Sequence, residues 1–180
     1  APETINLPAT KSISEIQVFG VSLRTAELSD DVLAAIDRAI PFPIIFELSR
    51  TGQRKAIAAF KRPSEADSAK WVISGYFSSD WEAEDKSRQP LPTALNLSGL
   101  YDRLLSALMP TGLHAAEPLA ERVARVEEIR AKERDVARIK ARLAREKQFN
   151  KRVAINAELR QATQELKSLG GSLQGNVKGG

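Results

Sequence analysis

Residues 119–169 read LAERVARVEEIRAKERDVARIKARLAREKQFNKRVAINAELRQATQELKSL, fifty-one positions with neither Gly nor Pro. As one helix this stretch would run roughly 76 Å at about 1.5 Å per residue. No globular core needs that length, so the segment must pack on itself, on a second copy or on another protein. Leu119, Val123, Val126, Ile129, Val136, Ile139 and Leu143 recur at three–four spacing, the stripe of a coiled coil or a bundle helix. Val126, Ile129, Val136, Ile139 and Leu143 are the expected partner-binding seam. Arg130, Arg134, Arg138 and Arg142 recur every four residues, with Arg145 close by. At about 100° per residue they fall on the side away from the stripe, where they are candidates for phosphate contact.

The phase breaks between Glu146 and Ile155. Phe149 and Val153 project toward the arginine side, and Ile155, Leu159, Ala162, Leu166 and Leu169 start a new stripe. Two foldings compete. In one, a helical hairpin turns near 148–150; in the other, a continuous helix rotates its apolar face toward a new neighbour. The absence of Gly, and the cations Lys151 and Arg152 at what would be a positive helix N-terminus, favour the continuous helix.

Upstream, the pattern changes period. Residues 14–24 (SEIQVFGVSLR) alternate as a strand, with Gly20 as a candidate bulge. In ELSDDVLAAIDRAIPFP, Ser29 or Asp30 can cap a helix, Val32, Leu33, Ile36 and Ile40 form its apolar side, and Pro41 and Pro43 stop it. Residues 44–49 (IIFELS) and 54–61 (RKAIAAFK) form a hairpin about the turn at Thr51–Gln53. A helix-compatible SEADSAK leads to a fourth strand at 71–77 and a helix at 96–108 that ends before Pro110. The expected class is α+β: a small antiparallel or mixed sheet with flanking helices, followed by a long C-terminal helical arm resembling a coiled coil. The expected parts are an α+β domain over 1–115, a charged helix or helical hairpin over 116–169, and a disordered tail over 170–180. The chain opens without Met in an ordered phrase, which predicts further residues upstream.

Composition narrows the chemistry. There is no Cys, so disulfides, thiolate metal sites and cysteine nucleophiles are excluded. His114 is the single histidine, so one chain cannot build a His-based triad or a two-His metal site. Residues 1–115 hold 12 Lys/Arg against 14 Asp/Glu, whereas 116–180 hold 15 against 9, so the basic charge belongs to the C-terminal part. That asymmetry fits nucleic-acid contact, but the solvation of long charge-laced helices is the favoured reading. No apolar run reaches membrane-spanning length, and the reading is a soluble cytoplasmic protein without a cofactor.

The strand carboxylates offer one enzymatic alternative. Glu15 and Glu47 with Lys61 or Lys55 would suit a metal-dependent nuclease if they met on one sheet face. Asp30, Asp31 and Asp37 are accounted for by capping and an exposed helix face, and Asp80, Glu82, Glu84 and Asp85 by a solvated loop. Trp71, Tyr76, Phe77 and Trp81 would form a platform for bases if exposed together, although aromatics on strands are more often core.

The phrases EIQVFGVSLR, VLAAIDRAIPFPIIFELSR, AIAAFKR and AREKQFNKRVAINAELR resemble the bacterial domain of unknown function 4391 family. The Ile-Pro-Phe-Pro segment from Ile40 and the Lys-Gln-Phe-Asn segment from Lys147 are the most specific, and the likeness runs from about Ile5 to Leu169. The family carries no established catalytic residues to transfer. The resemblance implies an association with DNA methyltransferases and superfamily-two helicases of restriction or phage-defence islands. A non-enzymatic accessory subunit that docks such a partner through its arm is therefore the leading expectation. The alternatives are the metal-dependent nuclease and a homodimer formed through the arm with no nucleic-acid role.

Overall fold

The computed structural model describes residues 6–64, 66–67, 70–110 and 117–170. Two compact units divide the chain, Ala1–Met109 and Pro110–Gly180. His114 and the expected tail beyond Gly170 lie outside the described residues.

The first unit is a mixed sheet. Strand β1 (Gln17–Ser22) leads to helix α1 (Asp30–Ala39), and then to β2 (Ile44–Arg50), β3 (Gln53–Pro63), β4 (Trp71–Ser78), β5 (Glu82–Ala83) and helix α2 (Leu97–Leu108). The spatial order is β1-β2-β3-β4, with β5 also on β3. The β1–β2 pair is parallel, because α1 carries the chain back across the sheet, and the remaining pairs are antiparallel. Thr51 and Gly52, both at positive φ, make the two-residue turn between β2 and β3. The register of β1 runs unbroken through Gly20 opposite Glu47. The irregularity lies instead on β3, between Ala59 and Lys61.

The two sheet faces are covered differently. Leu33 of α1 shares a buried cluster with Ile44, Phe46, Leu48 and Ile57, and Ile36 and Ile40 pack at its edge. Val32 is 45% exposed, so the apolar side of α1 is narrower than the sequence suggests. Ser29 occupies the N-cap position without a side-chain cap bond. On the other face Ile45, Ala58 and Phe77 lie in one row, and Phe60 stacks on Tyr101 of α2 with centroids 6.3 Å apart. The irregular step in β3 is repaired from α2: Tyr101 Oη donates to the Ala59 carbonyl (2.7 Å) and accepts from the Lys61 N–H (2.9 Å). One side chain thus satisfies two backbone groups that the shifted register frees. Asn96 caps α2 by accepting from the Gly99 N–H at 2.9 Å.

The second unit contains helices α3 (Leu119–Arg145) and α4 (Phe149–Ser168). Lys132 pairs with Glu165 at 2.5 Å, and Arg142 pairs with Glu158. Such pairing, early with late and late with early, makes the two helices antiparallel. The segment is a hairpin rather than the favoured continuous helix, and the bend falls at 146–148. The continuous reading failed because Arg152 does not act on the N-terminus it belongs to. Its guanidinium donates to the carbonyls of Glu146 (3.0 Å) and Leu143 (3.5 Å), at the negative end of α3 where a cation is favourable. The Glu146 carboxylate in turn accepts from the Gln148 N–H at 2.8 Å. The bend is held by charged side chains, without Gly.

Candidate functional site

Alternation along β2 decides the enzymatic alternative. Phe46 and Leu48 point into the cluster beneath α1, so Glu47 points to the opposite face. There Arg88 holds it through two bonds of 2.5 and 2.6 Å, and that contact pulls its carboxyl below the usual range. Lys61 lies on the α1 face and is 2% exposed. Its ammonium donates to the carbonyls of Asp37, Ile40 and Phe42, the last at 3.2 Å, and pairs with Asp37 Oδ1 at 3.6 Å. Glu15 is exposed and accepts from Gln17 at 2.7 Å. The three groups do not converge, and the nuclease constellation is corrected on that ground.

Lys61 performs a structural task. It closes the carbonyl end of α1, where the helix leaves orphan acceptors and partial negative charge. Asp37 is 2% exposed, which corrects its reading as an exposed-face residue. Burial raises its pKa, against the opposing pull of the 2.5 Å bond from Tyr76 and of Lys61. Burial also lowers the Lys61 pKa and raises that of Tyr76.

The expected aromatic platform is dispersed. Phe77 is buried, and Trp71 lies near Lys61 with the ammonium 5.7 Å from its ring. Tyr76 and Trp81 share an open cleft of about 310 Å³ with Leu28, Asp30, Lys55 and Ser78. The Arg50 guanidinium stands 4.1 Å from the Trp81 ring centroid, with Lys55 at 5.8 Å. The indole is therefore engaged by the chain's own cations.

In the hairpin, Val126, Ile129, Val136 and Ile139 are buried and Leu143 is half-buried. The seam is closed within the chain, and a partner that used it would have to displace packed side chains. Arg134, Arg138, Arg142 and Arg145 are exposed and Arg130 is half-buried. Arg138 pairs with Asp135 at 2.9 Å and Arg142 with Glu158. Among the described residues, Arg134 and Arg145 make no ion pair. Arg138, Arg142 and Arg145 line one shallow hollow on α3.

The bend carries the feature that stands out. Phe149 is 78% exposed and Val153 is 51% exposed. They are four residues apart on α4, hence on one side of it. Residues 142–153 hold Arg142, Arg145, Lys147, Lys151 and Arg152 against one acid, Glu146. Gln148 holds that carboxylate through its N–H, which lowers the Glu146 pKa. The signal was present in the sequence as the two apolar residues that fall out of phase with both stripes.

Fold and site together define a two-unit α+β protein whose sheet domain is followed by a helical hairpin with an exposed apolar tip. The chain belongs to the DUF4391 family, a domain of unknown function whose family model matches residues 1–166. No curated protein and no solved structure matches it. Among the described residues no helix is long and apolar enough to cross a membrane.

Proposed function

We propose that this protein is a non-enzymatic accessory subunit of a bacterial restriction–modification or phage-defence system, and that it docks a helicase or DNA methyltransferase through its helical hairpin. One observation carries the docking: Phe149 and Val153 stand uncovered at the bend of a hairpin whose long seam is otherwise closed. Exposed apolar side chains grouped on one helix side are characteristic of contact surfaces. The assignment to a defence system follows from the family resemblance. The test is to purify the tagged full-length protein from a bacterium that encodes it, at moderate salt, and to identify what accompanies it by mass spectrometry. A helicase or methyltransferase that also rebinds as a purified protein is the expected result. A chain recovered alone would overturn the reading.

A second reading, contact between the arginine row and DNA phosphates, is favoured by the shared hollow of Arg138, Arg142 and Arg145. It predicts a duplex affinity that falls steeply with salt. A homodimer formed through the arm is disfavoured, because the seam it needs is buried within one chain.

A further inference from the structure

We infer that the bend of the hairpin is a knob that fits an apolar pocket rimmed by Asp and Glu side chains on a protein partner. The inference rests on the accessory-subunit reading and names the surface through which that role is carried out. Phe149 and Val153 lie about 40° apart around α4, whereas the buried Ile155 lies about 120° from Phe149. The exposed pair thus forms a patch distinct from the seam. An i, i+4 pair of apolar anchors on one helix face is the arrangement that enters a groove on a partner. Next to it in the chain, Arg145 and Lys147 make no ion pair among the described residues, while Lys151 falls about 160° from Phe149, on the far side of α4, and acts on Glu146. Arg142 is taken up by Glu158 and Arg152 by the α3 carbonyls. Free cationic charge beside two apolar anchors, in a stretch of five cations and one acid, selects an acidic rim, since complementary charge orients and admits a partner.

The apolar pair favours protein over nucleic acid. A phenylalanine alone would suit base stacking, but Val153 offers neither a stacking face nor a phosphate donor. Tip-to-tip contact between two copies would set like charges against each other.

The test places the photoreactive phenylalanine analogue benzoylphenylalanine at position 149 of the full-length protein in its native host, with the same analogue at the exposed Lys140 as control. The expected result is a protein adduct at 149, absent at 140, that maps to a peptide where apolar residues adjoin acidic ones. Phe149→Ser should lower recovery of that protein about tenfold or more, and Lys147→Glu, made separately, should lower it severalfold. Helicity and melting temperature should stay unchanged, because these side chains are exposed. If the wild-type chain recovers a helicase or methyltransferase and the variants recover it equally, the knob is wrong and the accessory reading stands. If the wild-type chain recovers no protein, both are overturned. An adduct with nucleic acid or with a second copy of the chain would overturn the acidic pocket.

Discussion

The sheet unit puts charge inside, and the hairpin puts apolar surface outside. In the first, Lys61 and Asp37 are each 2% exposed, yet every contact they make has a local use: α1 is closed, a carboxylate is neutralised and Tyr76 is fixed. In the second, ion pairs such as Lys132–Glu165 and Arg142–Glu158 stay on the surface, while Phe149 and Val153 face solvent without cover. An inverted polarity that is fully satisfied from within is architecture. One that the described residues leave uncovered points outward, to something else.

That contrast can be broken most severely in the sheet unit. Lys61→Met leaves Asp37 buried without its cation and α1 without its closing donor. A loss of about 3–5 kcal/mol is expected in urea unfolding. Adding Asp37→Leu should recover much of it, since the pair together is replaced by apolar volume; no recovery would contradict the pairing. Next in size is Val136→Asp, which places a charge on the hairpin's buried seam. A cost of roughly 2–4 kcal/mol is expected, read as lost hydrogen-exchange protection across α4. Arg152→Ala should be milder, about 0.5–1 kcal/mol from the α3 carbonyl end, with faster exchange confined to the bend.

Acid should separate the units by sign. The carboxyls of Glu146 and Glu165 are held below the ordinary glutamate value of 4.5 by the Gln148 N–H and by Lys132. Their contribution is present above 4.5 and is lost as pH falls through the lower folded value. Asp37 is shifted upward by burial, so in the sheet unit it favours the folded state as pH falls toward 3.8. Residue-resolved exchange between pH 5 and pH 3 should therefore show the hairpin loosening before the α1 core. The reverse order would count against these assignments. The effect is the smallest of the four, because the hairpin carboxylates are solvent-exposed.

How much of this was legible in the sequence depended on whether the governing contact was local. Alternation located β1, apolar runs and the turn signal at 51–53 located β2 to β4, and the leucine spacing located α2, because each signal is carried by neighbouring residues. The element order left an antiparallel and a mixed sheet both open, and the parallel β1–β2 pair decides for the mixed one. The two-residue strand β5 had no run long enough to announce it. Lys61 and Asp37 are 24 residues apart and meet only after the sheet forms, so Asp37 reads as an exposed helix-face acid and Lys61 as a candidate catalytic cation. The hairpin is hidden in the sequence for a related reason. On their own helix the cations at 151–152 disfavour a new N-terminus, whereas Arg152 acts on the preceding helix. Phe149 and Val153 were visible as a break in phase, but whether they were covered was settled only by the fold.

The central claim is that residues 119–168 fold back, close their own seam and leave the bend exposed. The chain has no Cys, so Glu128→Cys and Ser168→Cys can carry two spin labels cleanly, and both positions border one hollow between α3 and α4. Pulsed electron–electron resonance should give a distance within roughly 20 Å, as expected for labels on two packed helices. A distance of roughly 60 Å, the length of forty residues of unbroken helix, would contradict the account.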